Sequence, residues 1–129
     1  MTTAHPITDA LWQTGTLRHG MGDPVPDDAR VVDMRWVPDS EDGLTTAEFR
    51  KLVGFLSEIP ANAPAVTMCE AGENRSGLAS VVLLVLRGMD VDEAILLVRE
   101  KVPPITDQRW VFWNRGFVAQ VRAWAATRD

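Results

Sequence analysis

The chain contains a single cysteine, Cys69, which lies six residues before Arg75 in the stretch VTMCEAGENRSGLASVVLLVL (residues 66–86). A short apolar run ends at the cysteine, a polar loop with Gly72 at its midpoint follows, and a long apolar run begins after Ser76. This pattern predicts a buried strand, a tight loop and a buried helix. Such a unit can bind an anion, because backbone N–H groups of the loop and of the first helical turn point inward.

Two side chains of this stretch add reactive groups to the predicted anion site. A guanidinium at position 75 can bind two oxygens of a tetrahedral oxyanion through its planar fork. A free thiol has a pKa of about 8.5, whereas thiols near a helix N-terminus or a cation titrate at roughly 3.5–7.5. We therefore expect Cys69 to be a thiolate at neutral pH. A thiolate that faces a tetrahedral oxyanion predicts attack on phosphorus and a phosphocysteine intermediate.

The elements that must position this loop follow from hydrophobic patterns along the chain. Alternating apolar residues predict an edge strand over residues 7–14, and short β-branched runs predict buried strands over residues 31–34 and 65–68. Residues 36–43 (WVPDSEDG), here named the acid loop, are rich in turn-forming residues. Four helices are predicted: one from a capping box at Thr45 and Glu48 to just before Pro60, and three over residues 76–87, 90–102 and 110–128.

The order of these elements predicts one α/β domain over residues 1–129. We expect a central, largely parallel sheet of about four or five strands, with helices packed on both of its faces. A chain of 129 residues, of which 46% are hydrophobic, is long enough to bury a full core.

Composition narrows the classes of function. The formal charge of −5 argues against a general nucleic-acid binder, which normally has a basic face. One cysteine cannot form an internal disulfide. The opening residues MTTAHPITDALW do not have the pattern of a signal peptide, and the apolar runs are shorter than the roughly 20 residues of a membrane span. We expect a cytoplasmic protein that binds neither nucleic acid nor membrane.

The motif Cys69–x5–Arg75–Ser76 resembles the signature loop of the cysteine-dependent protein tyrosine phosphatases. The sequence AGENRSG and the small size of the chain are most similar to the dual-specificity phosphatases of that superfamily. The segments ITDALWQTG, VVDMR, LVGFLSEI and DEAILLVREKVPP follow in the family's order, so the resemblance extends over most of the chain. It implies a dual-specificity-phosphatase-like fold and a phosphoric monoester hydrolase with no metal and no cofactor. The implied substrate is a phosphorylated protein or peptide, with phosphotyrosine favoured, and the loop is implied to bind phosphate or vanadate.

The resemblance also implies a role for each residue of the loop. Cys69 is implied as the nucleophile, Arg75 as the group that binds the phosphoryl oxygens, and Ser76 as a hydrogen-bond partner of the sulfur when it leaves. The residues between Cys69 and Arg75 are implied to bind phosphate through their backbone N–H groups. They are Glu70, Ala71, Gly72, Glu73 and Asn74. The Asn74 side chain is also expected to brace the loop.

The family uses an aspartic acid about 30 residues before the cysteine to protonate the leaving group and then to activate water. The acid loop offers Asp39, which lies 30 residues before Cys69, and Asp42, which lies 27 residues before it. Pro38 and Asp39 after Trp36 are similar to the acid loop of the family. Asp39 is therefore preferred as the general acid, and Asp42 remains the alternative.

Two departures from the family pattern bear on activity and substrate. Met68 stands where these enzymes usually have a histidine that helps to stabilise the thiolate. Glu70 and Glu73 are expected to place two negative charges on the rim of the loop, which would repel a substrate with several phosphates. The substrate is therefore expected to carry one phosphate.

Three other interpretations remain open. A catalytically weak pseudophosphatase would hold a phosphorylated partner without turnover, and Met68 and the acidic rim favour this alternative. A rhodanese-type sulfurtransferase also places a cysteine in a strand-to-helix loop, and a buried cysteine with no catalytic role is the third interpretation. Apart from the loop, Arg109, Trp110 and Arg115 are expected to line one side of the cleft.

Overall fold

A computed structural model describes residues 3–128 of the chain. Within that range the strands are β1 (Thr3–Thr8), β2 (Leu11–Gly15), β3 (Asp23–Pro24), β4 (Arg30–Asp33) and β5 (Ala65–Cys69). The helices are α1 (Thr46–Ser57), α2 (Arg75–Leu86), α3 (Val91–Lys101) and α4 (Arg115–Ala126).

The five strands form one mixed sheet in the order β3-β1-β2-β5-β4. β5 runs parallel to both β2 and β4, whereas β1 is antiparallel to β2 and to β3. The chain is therefore an α/β protein, as predicted. The sheet is parallel only across β4, β5 and β2, because the chain reverses direction between β1 and β2. The prediction of a largely parallel sheet is therefore too strong.

The single edge strand predicted over residues 7–14 is wrong. The chain turns at Asp9 and Ala10, where the Thr8 hydroxyl accepts a hydrogen bond (3.2 Å) from the Ala10 N–H, and the second half becomes the interior strand β2. Ile7 and Leu11 both belong to the larger apolar core. The alternating pattern thus continues across the turn as it would along one strand, which is why the pattern did not reveal the hairpin.

The strand predicted over residues 31–34 exists as β4, but it is not buried. It lies at the edge of the sheet, where β5 is its partner, and Val31 is 57% exposed. A run of β-branched residues indicates a strand and does not indicate how many neighbours the strand has.

Two apolar clusters lie on opposite faces of the sheet. The larger cluster joins Leu11 and Ala65 to buried residues of all four helices. The smaller cluster contains Trp12 and Val66, which alternate with the first pair along their strands, and Val25 from the connection between β2 and β4. Among residues 3–128, the helices therefore pack on one face, whereas helices on both faces were predicted.

The predicted starts of α1 and α3 are confirmed. The Glu48 N–H donates to Thr45 Oγ1 (3.1 Å) and the Thr45 N–H donates to the Glu48 carboxylate (2.8 Å), which closes the capping box. Asp90 caps α3 by accepting from the N–H groups of Asp92 and Glu93. The helices found among residues 3–128 include none that is both long and apolar enough to cross a membrane.

The helix predicted over residues 110–128 begins later than expected. α4 starts at Arg115, and the Asn114 side chain caps its first turn. Residues 102–114 form an irregular connection, because some of its N–H groups donate to a buried carboxylate and Phe112 has a left-handed backbone (φ 55°). Helical spacing of aromatic residues was therefore misleading here.

Candidate active site

The loop of residues 70–74 joins the end of β5 to the start of α2, as predicted. Gly72 at its midpoint has a left-handed backbone (φ 72°), and a Cβ there would lie 2.6 Å from Arg18 Nε and 2.8 Å from the carbonyl carbon of Thr14. Both distances are too short for a carbon atom. The loop therefore lies against the end of β2 and the residues after it only because position 72 has no side chain.

Cys69 ends β5 and is 3% exposed. Its thiol donates a hydrogen bond to Ser76 Oγ, at 3.2 Å, in the first turn of α2. In the thiolate form the Ser76 hydroxyl becomes the donor, because a thiolate can only accept. The structure thus brings together the cysteine and the serine that the sequence motif singles out.

A chain of buried polar side chains lies under the loop. Gln13 Nε2 donates to the Gly72 carbonyl oxygen (2.9 Å), Ser80 Oγ donates to Gln13 Oε1 (2.7 Å), and Ser80 Oγ also lies 2.7 Å from Thr67 Oγ1. These three side chains are fully buried. Sequence reasoning missed them, although a glutamine in a strand and a serine inside an apolar helix were available signals. Their hydrogen bonds hold the loop from below.

Arg18 is a second supporting residue that the sequence did not reveal. It is 2% exposed, and its Nε donates to the Ala71 carbonyl oxygen (2.7 Å). Within residues 3–128, neither Nη1 nor Nη2 has a hydrogen-bond partner, although both atoms are buried. Burial lowers the pKa of the Arg18 guanidinium, and the negative charges of Glu73 and Cys69 oppose that shift. A cation therefore lies beneath the loop, within electrostatic reach of the sulfur.

The Arg75 side chain connects the loop to the acid loop. Its Nη1 donates to the Val37 carbonyl oxygen (2.8 Å), and its Nη2 donates to Glu70 Oε1 (3.1 Å). Arg75 is mostly buried, whereas the Glu70 side chain is 63% exposed. The guanidinium predicted to bind phosphate thus lies between the two loops.

The two candidate acids differ in their contacts. Asp39 accepts from Asn74 Nδ2 (3.0 Å) and from Asn114 Nδ2 (2.7 Å), so both of its oxygens are held. Asp42 has no side-chain hydrogen bond in the described part of the chain, and its N–H donates to Ser40 Oγ. The structure thus joins Asp39 to the loop through Asn74 and leaves Asp42 apart from it. Asn74 also accepts from the Asn114 N–H (2.9 Å), so the expectation that Asn74 braces the loop is confirmed.

The acid loop packs closely on the start of α4. A Cβ at Gly116 would lie 1.9 Å from the Glu41 carbonyl oxygen, and Gly43 has a left-handed backbone (φ 79°). The Leu44 N–H and carbonyl group both bond to the Gln120 amide (2.9 and 2.8 Å). The position of Asp39 therefore depends on α4, which lies about 75 residues further along the chain.

The expectation that Glu73 forms part of an acidic rim is wrong. Glu73 is 2% exposed, and its carboxylate accepts from the N–H groups of Ile105 and Thr106 (2.9 and 3.1 Å), from Thr106 Oγ1 (2.8 Å) and from Trp113 Nε1 (2.8 Å). The hydrogen-bond donors to Glu73 lie more than 30 residues away along the chain. Residue spacing in the sequence does not predict such long-range partners. Of these two glutamates, only Glu70 places its charge on the rim.

The backbone N–H groups of residues 70–74 point to no acceptor within residues 3–128, since none of them donates a hydrogen bond there. The same range contains no group of three or more His, Cys, Asp or Glu side chains arranged to hold a metal. Chemically, the site offers a buried sulfur nucleophile, a guanidinium and a carboxylate around a loop of N–H donors. This combination suits a tetrahedral oxyanion.

Comparison with known proteins adds no assignment. A scan against models of protein families matches none of them, and a search of curated proteins finds no relative of this chain.

The two glutamates of the loop allow a matched prediction about stability. Replacing Glu73 by Gln puts an amide N–H₂ against groups that are themselves donors, and we expect a loss of about 2–3 kcal/mol in the free energy of unfolding. Glu70→Gln removes the charge of the solvent-exposed partner of the ion pair with Arg75 and should cost less than about 1 kcal/mol. Urea unfolding of both variants tests this. Equal losses would show that the buried hydrogen bonds of Glu73 are not important for stability.

Arg18 allows a prediction about the reactivity of the sulfur. In Arg18→Met, alkylation of Cys69 by iodoacetamide at neutral pH should slow by roughly tenfold, because a buried cation beneath the loop, which favours the reactive thiolate, is lost. Arg18→Lys keeps the charge and should restore part of the rate. Arg35→Met, which removes an exposed arginine, serves as the control. An unchanged alkylation rate in folded Arg18→Met would contradict the electrostatic role.

Proposed function

We propose that the chain is a protein tyrosine or dual-specificity phosphatase that hydrolyses phosphomonoesters through a phosphocysteine intermediate. The observation that carries the proposal is the placement of Cys69 at a strand end, 3.2 Å from Ser76 at a helix start, beneath a loop that Arg75 closes. The resemblance of the motif to the signature loop of these enzymes supports the same conclusion.

In the first proposed step, the Cys69 thiolate attacks phosphorus while Arg75 and the loop N–H groups bind the other phosphoryl oxygens. The bond between phosphorus and the leaving oxygen breaks, and its electron pair goes to that oxygen. Asp39 donates a proton to the oxygen, so that an alcohol or phenol leaves and a phosphocysteine remains.

In the second proposed step, Asp39 is a carboxylate and takes a proton from water. The water oxygen attacks phosphorus, the S–P bond breaks, and its electron pair returns to Cys69. The Ser76 hydroxyl, already at hydrogen-bond distance, donates to the departing thiolate. Inorganic phosphate is released and the thiolate is restored.

The proposal includes a dual-specificity-phosphatase-like fold, a phosphorylated protein or peptide as substrate with phosphotyrosine favoured, and a cytoplasmic site of action. The four helices on one face of a mixed sheet, with the catalytic loop between β5 and α2, are compatible with it. Because Glu73 is buried, it is not one of the two rim charges from which rejection of multiply phosphorylated substrates was expected.

A pseudophosphatase is the second candidate, and the ion pair of Glu70 and Arg75 (3.1 Å) favours it, because phosphate must compete with Glu70 for the guanidinium. The Glu70 side chain is 63% exposed, and exposed ion pairs contribute only about 0–1 kcal/mol. A phosphate dianion that also meets several N–H groups can displace so weak a partner. Turnover therefore remains the preferred proposal.

Hydrolysis of p-nitrophenyl phosphate in the presence of a metal chelator tests the proposal. Wild type should turn over, and Cys69→Ser should lose on the order of 10⁴-fold or more in rate because it lacks the nucleophile. The variant should keep the thermal unfolding temperature and still bind vanadate. Vanadate binding without any turnover in wild type would select the pseudophosphatase. A persulfide formed from thiosulfate would select the sulfurtransferase.

The choice of general acid is tested with paired esters. Asp39→Asn should slow phenyl phosphate hydrolysis by about 10²–10³-fold and p-nitrophenyl phosphate hydrolysis much less, because the poorer leaving group needs the proton more. Asp42→Asn makes the same change three residues away and should have little effect on either ester. If Asp42→Asn alone shows the leaving-group dependence, the assignment of Asp39 is wrong.

A further inference from the structure

A basic groove lies beside the acid loop and the start of α4. Its volume is about 790 Å³, and four arginines line it, together with one carboxylate, that of Glu41. The arginines are Arg99, Arg109, Arg115 and Arg122. The whole chain has a formal charge of −5, so this concentration of guanidinium groups is local and does not follow from a basic composition.

Most of this positive charge is not neutralised by ion pairs within residues 3–128. Arg122 pairs with Asp92 (2.9 Å), and both side chains are more than half exposed. Across residues 3–128, no carboxylate lies within ion-pair distance of Arg99, Arg109 or Arg115. Burial and, less strongly, the charge of Arg122 lower the pKa of Arg99. An anion in the groove would relieve this repulsion between like charges.

Trp110 orders two of the guanidinium groups. The Cζ atoms of Arg99 and Arg109 lie 5.0 and 5.6 Å from the centroid of its ring, which is itself partly exposed. Arg99 also donates to the carbonyl oxygens of Val111 and Phe112. Guanidinium groups held in this way lose less freedom when they bind a carboxylate.

The start of α4 adds to the positive potential of the groove. Arg115 is the first residue of α4, where the helix dipole carries its positive end. Arg109 and Arg115 are both exposed, so an anion can reach them from solvent.

The groove adjoins the candidate active site through two residues that line it. Asn114 donates to Asp39 (2.7 Å) and its N–H donates to Asn74, while Trp113 donates to the carboxylate of Glu73. The groove therefore contacts the acid loop directly at Glu41, and one side chain separates it from the loop after Cys69. A peptide that extends from the reacting phosphate across the acid loop would enter the groove.

We propose that this groove binds an acidic segment of the phosphorylated protein substrate, so that the site selects carboxylates near the phosphorylated residue. The proposal rests on the proposed phosphatase function. The groove is larger than one small anion needs, and Trp110, Trp113 and Val118 give it apolar walls that suit a peptide. Arginine and tryptophan are also the residues that most often dominate binding at protein surfaces.

The test compares two phosphotyrosine peptides that differ only in having Glu or Gln at the positions around the phosphotyrosine. At low salt, wild type should show about a tenfold higher kcat/KM for the Glu peptide, mostly through KM. The double variant Arg109→Gln/Arg115→Gln should bring this ratio close to one. These two arginines are chosen because Arg99 and Arg122 have structural partners.

A matched control removes two exposed positive charges outside the groove, in Arg30→Gln/Arg50→Gln, and should keep the ratio of wild type. Turnover of p-nitrophenyl phosphate should be unchanged in both double variants, because this substrate has no segment to place in the groove. Equal kcat/KM for the Glu and Gln peptides in wild type would overturn the proposal while leaving the phosphatase function in place.

Binding of a fluorescent, unphosphorylated Glu peptide, followed by anisotropy, separates the groove from catalysis. Binding that Arg109→Gln/Arg115→Gln weakens would support the groove even if wild type had no phosphatase activity. If inorganic tripolyphosphate binds in an arginine-dependent way and the Glu peptide does not, the groove is a site for a free polyanion and the peptide proposal is wrong.

Discussion

The rest of the site depends on the hydrogen bonds that the buried carboxylate of Glu73 accepts. This carboxylate joins the loop after Cys69 to residues 105–113 by four hydrogen bonds, and a buried carboxylate without such donors would be strongly destabilising. The connection that it holds leads directly into Asn114. Because Asn114 contacts both Asn74 and Asp39, the same interaction sets the start of α4, the position of the acid loop and the wall of the basic groove.

Charge is arranged around the loop in layers. Arg18 lies beneath it and is buried, Arg75 lies beside it and is mostly buried, and Glu70 lies outside it in solvent. Buried charges interact more strongly than exposed ones, because less water screens them. The two cations are therefore less screened than Glu70, although the chain as a whole is acidic.

The acid loop is held by contacts that a substrate would have to share. Arg75 donates to the Val37 carbonyl oxygen, and both oxygens of Asp39 accept from amides. Under the proposed function, a phosphate bound by Arg75 would compete with Val37, and a leaving oxygen near Asp39 would compete with Asn74 or Asn114. Substrate binding and adjustment of the acid loop would then be coupled. Gly43 and Gly116 permit the close packing of the acid loop on α4.

Residue types and their spacing alone predict the local features of this protein: the strand–loop–helix unit around Cys69, the N-terminal caps of α1 and α3, and the α/β class. These depend on neighbours within a few residues, so spacing and residue type suffice to predict them. The burial of Glu73 and the support of the site by Arg18, Gln13 and Asn114 follow only from the tertiary structure, because each contact joins residues more than 30 positions apart. The hairpin of β1 and β2 is local, but Ile7 and Leu11 keep the same alternation on both sides of its turn, so hydrophobic periodicity does not reveal it either. The choice between Asp39 and Asp42 shows the division most clearly, because both lie at a suitable spacing from Cys69 and only folding brings one of them to Asn74.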